Sequence, residues 1–131
     1  MDRQLFIRTG TIAALLMIIS FCLCISPVKA QDTKIRDMKK FFQNTCAKCH
    51  GADGSATGED GKKLKGEDFT DQKWLSDTKD EKMIKAIMKG KFFGLAMPAY
   101  KDMLTREDAQ IMVTEIIRKS KKGKIIKPDN K

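Results

Sequence analysis

The single histidine of this 131-residue chain stands directly behind two cysteines three positions apart, as Cys46-Ala47-Lys48-Cys49-His50. Two thiols at that spacing lie near each other on one helical turn. Each can add to one vinyl group of a haem as a thioether, which is the attachment signature of c-type haem. The next residue, His50, is then aimed at the iron as its proximal ligand. Rival uses of the pentad explain less. A zinc site would have three adjacent ligands and no second histidine to complete it. A thioredoxin-like redox pair expects a βαβ context, and no strand–helix–strand pattern surrounds these residues. A plain disulfide leaves His50 without a role. One histidine also excludes every site that needs two, and with it most catalytic zinc sets.

Residues 1–30 read as an export signal. Arg3 and Arg8 make a positive start, and residues 9–28 carry no charge. Ser26-Pro27 breaks the apolar run, and Val28-Lys29-Ala30 fits a small-x-small cleavage site. The mature chain is expected to begin at Gln31 and to act in the periplasm or an equivalent compartment. Twenty uncharged residues also suffice for an uncleaved anchor, which is the competing reading. Cys22 and Cys24 are apolar filler of this segment; Phe21-Cys22-Leu23 does not supply the small residues a lipoprotein Cys needs before it.

Residues 31–131 are one domain's worth of chain, with seven aromatics and a modest core. A buried, covalently retained haem gives such a chain a large apolar body to pack against. The pattern is all-α. Ile35, Met38, Phe41 and Phe42 recur at helical spacing and predict a helix over about 34–48. Five of the nine glycines (Gly51, Gly54, Gly58, Gly61 and Gly66) then mark a loop that can wrap tightly around a haem edge. It lacks the flanking strand, helix and Lys-Ser/Thr end of a phosphate cradle. A short helix over 70–76 carries Trp74. A helix over 79–89 is capped by Thr78 and has Met83, Ile84, Ile87 and Met88 as its apolar stripe. The last helix runs over about 106–120 from an N-cap at Thr105, and Phe42 is expected to pack against Val113, Ile116 or Ile117. The tail 119–131 holds six lysines against one aspartate and reads as frayed.

The second axial ligand decides the function class, because a six-coordinate haem carries electrons and an open one binds or activates ligands. Met38, Met83, Met88 and Met112 fall on helical apolar faces, where core packing is the default. Met97 lies instead in Gly94-Leu95-Ala96-Met97-Pro98-Ala99-Tyr100, between a glycine hinge and a proline that forbids helix. It is the expected ligand, with Met103 in reserve. Its thioether favours ferrous iron.

These pieces, in this order, resemble the small class I cytochromes c. The likeness covers nearly all of residues 36–118. It takes in the pentad with Gly51-Ala52-Asp53-Gly54, then Leu64-Lys65-Gly66, Phe69-Thr70-Asp71 and Trp74-Leu75. It closes with Met97-Pro98-Ala99-Tyr100 and Leu104-Thr105. The resemblance implies an all-α fold of three to five helices wrapped around one covalently attached haem c. It implies that Leu64 and Tyr100 line the pocket and that Trp74 donates its indole N–H to a haem propionate, its alternative role being core filler. Many members have a proline whose carbonyl accepts the proximal imidazole's N–H. Gly61-Lys62-Lys63-Leu64 stands there instead, so a lysine carbonyl is expected to orient His50.

The mature chain carries 23 basic and 16 acidic residues, a charge of +7. Lys48, Lys62, Lys63, Lys65, Lys89, Lys91 and Lys101 flank the haem-binding segments, a rim suited to acidic docking surfaces on redox partner proteins. The same lysines also suit a merely solvated face. Nucleic acid is excluded by the absence of any stacking platform or recognition motif, and a membrane enters only with an uncleaved leader. The sequence thus predicts an exported, monomeric, monohaem electron carrier and not an enzyme. Its rivals are an electron-input subunit of a larger oxidoreductase and a ligand-binding or sensor haem.

Overall fold

The computed structural model describes residues 28–128. The leader reading, with Cys22 and Cys24, falls almost wholly outside them. Residues from Gln31 onward form one compact unit. Among the described residues no β-strand forms, and three isolated antiparallel bridges merely close loops. No described helix is long and apolar enough to cross a membrane.

Helix α1, Val28–Phe41, runs on through a π turn, Phe42–Cys46, into the short α2, Ala47–His50. This segment starts earlier than the 34–48 expected and carries the whole pentad to its C-terminal end. A glycine loop comes next. Helix α3 is Gln72–Asp77 and α4 is Asp80–Lys89. A 3-10 turn at Phe92–Gly94 opens the Met97 loop. Helix α5, Arg106–Ile111, continues as a π turn, Met112–Ile116, and a 3-10 turn, Ile117–Lys119. The apolar stripes meet in one core. Phe42, Val113, Ile116 and Ile117 all belong to it, together with Met83, Ile84 and Ile87 of α4.

Thr78 does not cap α4. The N-cap is Lys79, with no side-chain hydrogen bond, and Thr78 is buried. Its carbonyl is used instead by Arg118, whose guanidinium also reaches the carbonyl of Leu75 and, at 2.6 Å, Asp80 Oδ1. One arginine thereby satisfies carbonyls that α3 leaves unpaired at its end and pairs with the acidic first turn of α4.

Thr105 is the N-cap of α5 as expected, in a reciprocal capping box. Its Oγ1 accepts from Asp108 N–H at 3.1 Å, while Asp108 Oδ2 accepts from Thr105 N–H at 2.9 Å. The Thr105 hydroxyl, first among the causes, holds the Asp108 carboxyl below the usual range, with Lys34 adding to it. Thr105→Ala is expected to cost about 1 kcal/mol in denaturant unfolding at neutral pH. A depressed carboxylate stabilises above its unfolded pKa, about 3.9, and ceases to as pH falls through the lower folded value. The difference between wild type and variant should therefore narrow in acid; a constant difference down to pH 2 would remove Asp108 from the account.

Over residues 120–126 the tail is not frayed as the sequence predicts. Ser120 is buried, and its hydroxyl donates to Ile116 O at 3.0 Å. Gly123 N–H donates to Asp53 Oδ2 at 2.6 Å, and Ile126 N–H to Ala52 O at 2.9 Å. Gln43 Nε2 donates to Ala52 O at 2.8 Å and also to Ile126 O. Residues 120–126 are thus a strap across the loop after the pentad. Gly54 lets it approach: its φ is +84°, and a methyl there would lie 2.8 Å from Ser120 Oγ.

Candidate haem site

His50 ends α2 facing inward, and two contacts fix its ring. It is buried, it stacks on Phe69 with centroids 4.3 Å apart, and its Nδ1 lies 3.0 Å from the carbonyl of Glu67. A carbonyl only accepts, so Nδ1 carries the proton and Nε2 keeps its lone pair for a metal. Burial, partly offset by the Glu67 carbonyl, lowers the imidazole's pKa. The neutral, ligating form therefore prevails at pH 7. The carbonyl is not one of the lysines at 62–63. The chain comes closest at Gly66, whose N–H donates to Cys49 O at 2.8 Å. A methyl at position 66 would lie 2.4 Å from that oxygen and 2.5 Å from His50 Nδ1. Only a residue without a side chain lets residue 67 present its carbonyl to the ring.

Beside His50 opens a cavity of about 260 Å³, and His50, Cys46, Cys49, Trp74, Met97 and Tyr100 all line it. Leu64 does not. Its N–H is turned to Ala56 O, 2.7 Å away, closing the glycine loop on itself. A second, apolar space of about 20 Å³ is also lined by His50 and Met97. Among the described residues Met97 is the one methionine that borders both; Met83 borders the larger and Met112 the smaller. Met103, the reserve ligand, borders neither and is 68% exposed.

The Met97 loop is closed by backbone bonds, Lys91 N–H to Met97 O at 2.9 Å and Tyr100 N–H to Ile87 O at 3.0 Å. Its tip is strained, with φ of 50° at Phe92 and 56° at Phe93. Lys91 Nζ meets Glu67 Oε1 at 3.3 Å, so the segment that orients His50 is tied to the segment that carries Met97. Of the seven rim lysines, Lys65 and Lys91 line the cavity, and Lys82, not singled out by sequence, joins them. Lys62 is paired with Asp60 at 2.9 Å. The residues missed by sequence, Glu67 and Lys82, act through a main-chain carbonyl and a helix face turned to the cavity. Neither leaves a motif.

Cys46 and Cys49 are not joined to each other, Cys46 half-buried and Cys49 exposed. Among the described residues no group of three or more His, Cys, Asp or Glu side chains is placed to hold a bare metal ion. Burial, with Cys49 nearby, pushes the Cys46 thiol up to about 12. The donor set fits a c-type haem: two thiols and a neutral imidazole border one largely apolar cavity. Its volume approaches the roughly 300 Å³ at which small-molecule sites begin.

Comparison with known proteins agrees. Among curated proteins nothing matches the chain. A solved structure, "KustC0563 c-type cytochrome", is 33% identical, with a TM-score of 0.53 over 64% of this chain and 96% of that one. A family model described as "Cytochrome C oxidase, cbb3-type, subunit III" matches residues 33–114. With that match spanning more than half of its length, the chain belongs to this family of small cytochromes c, whose members hold haem c covalently.

Proposed function

We propose that the protein is an exported, soluble one-electron carrier. It holds one haem c through Cys46 and Cys49, with His50 as proximal and Met97 as distal ligand. The observation that carries this reading is that His50 and Met97 border the same two adjoining spaces. A covalently held haem supplies reversible one-electron exchange between ferric and ferrous iron. The chain does the rest. Phe69 and the Glu67 carbonyl hold the His50 ring, so Nε2 stays aimed as the oxidation state changes. Met97 offers a neutral thioether, which favours the ferrous state. Trp74 and Tyr100 line the cavity and exclude water, and the Trp74 indole N–H and the Lys65, Lys82 and Lys91 ammonium groups offer donors for propionates.

The family's description as an oxidase subunit favours a second reading, an electron-input subunit of a larger oxidoreductase with acidic redox partners. Stable co-purification with that complex marks it.

Mass spectrometry of the protein isolated from an exporting host tests the proposal. The expected species begins at Gln31, carries the added mass of one haem and has no free thiol. Two free thiols on a folded protein would overturn it. An intact residue 1–30 segment in the membrane fraction would leave the haem site standing and replace the soluble carrier with an anchored one.

A further inference from the structure

Electron exchange at the cavity leaves the tip of the Met97 loop without a role. Phe93 and Leu95 are 107% and 92% exposed and do not line the cavity, while Phe92 is 76% exposed and touches its edge. The tip is held outward by its own backbone. Gly94 N–H donates to Lys91 O and Leu95 N–H to Phe92 O, each at 3.1 Å. Phe92 and Phe93 both sit in the left-handed region, which disfavours bulky side chains; asparagine or glycine would make the same turn with less strain.

The surroundings of the tip are basic. From Lys82 to Lys101 the chain has five lysines and no acidic residue. Lys82, Lys85, Lys89 and Lys101 are exposed. The bond from Tyr100 N–H to Ile87 O brings the end of α4 beside residue 101, which sets Lys89 and Lys101 at the base of the loop. Of the carboxylates around this stretch, Glu67 is paired with Lys91, Glu81 with Arg106 and Asp80 with Arg118, while Asp102 is next to Lys101 in the chain.

We infer that the 92–95 tip is a membrane-docking finger. Phe93 and Leu95 enter the headgroup boundary of an anionic bilayer while Lys85, Lys89 and Lys101 meet its phosphates. Lysines alone would suit an acidic protein equally well. The projection of the tip separates the two. Three exposed apolar side chains on one short tip with lysines at its base match the aromatic-plus-basic make-up of an interfacial anchor. Docked in this way, the protein turns the Met97 side of its cavity toward the lipid surface and toward redox partners embedded there.

Co-sedimentation of the haem-loaded protein with vesicles tests this, using phosphatidylcholine alone and a two-to-one mixture with phosphatidylglycerol. Wild type should bind the mixed vesicles, and binding should fall about tenfold or more in Phe93→Ser/Leu95→Ser and in Lys89→Gln/Lys101→Gln. The visible spectrum of the serine pair should be unchanged, since neither residue lines the cavity. Equal binding by wild type and the serine pair would overturn the finger, because lysines or the N-terminal segment alone would then be responsible. No vesicle binding, with the serine pair instead slowing electron delivery to a soluble acidic redox protein, would also overturn it and make the tip a protein contact.

Discussion

Met97→Ala is expected to strip the ferric protein of the near-infrared absorption and the contact-shifted methyl signal that report a thioether on iron. The ferrous form should then bind carbon monoxide at neutral pH. The reduction potential should fall by a sizeable part of the roughly 0.8 V span that axial ligands command. The loop itself should survive, because the bond from Lys91 N–H to Met97 O is made by backbone. Removing a half-buried methionine side chain adds about 2 kcal/mol of destabilisation, the lower end for core truncations. Met83→Leu is the control. Met83 also borders the larger cavity but sits buried on the α4 stripe, so an isosteric swap there should leave signal and potential in place. If Met83→Leu loses the signal and Met97→Ala keeps it, the ligand is misassigned and the ligand-binding reading regains its ground.

Losing both thiols should have the larger effect on the whole molecule. The Cys46→Ala/Cys49→Ala double variant is expected to yield protein without covalent haem. The cavity of about 260 Å³ then has no body to fill it. At about 24 cal/mol per Å³ such a void costs roughly 6 kcal/mol, an upper figure because the cavity opens to water. Against the roughly 5–15 kcal/mol that holds a domain together, that is most of the stability. Urea unfolding of the double variant should show a midpoint far below that of the holoprotein. Each single variant should keep one thioether and one unreacted vinyl, and the extra conjugation should move the reduced visible band to longer wavelength. Full covalent haem on the double variant, or an unchanged midpoint, would sink this account.

What the sequence made legible is what has a local signature. The pentad, the all-α periodicity and the Thr105 N-cap depend on neighbours within one or two turns, and each is found where expected; the capping box that Asp108 completes is not among those expectations. Local patterning also led the reading astray. Thr78 is a favourable cap by residue type, but Arg118, forty positions away, takes its carbonyl and the cap shifts to Lys79. The tail composition argues for fraying, yet the strap is held by main-chain groups and by Gln43 and Asp53, which carry no periodic signal. Leu64 follows the resemblance but turns away because its backbone closes a loop with Ala56. The orienting carbonyl at Glu67 depends on the close approach of Gly66, and any residue type supplies a carbonyl. The positive φ of Phe92 and Phe93 leaves no trace in the sequence, because neither glycine nor asparagine marks it.

The strap also sets an order of assembly. Its bonds join residues 70 and 83 positions apart, and closures that long lag behind local helix formation. A chain moved across a membrane N-terminus first delivers the cysteine pair well before residues 120–126 arrive. During that interval the loop after the pentad is unclasped and the Cys46 thiol is not yet desolvated by the finished fold. Residues 120–126 can clasp that loop only after they have emerged. Shortening the chain at Lys119 should therefore leave haem attachment intact and loosen only the final clasping of residues 51–54.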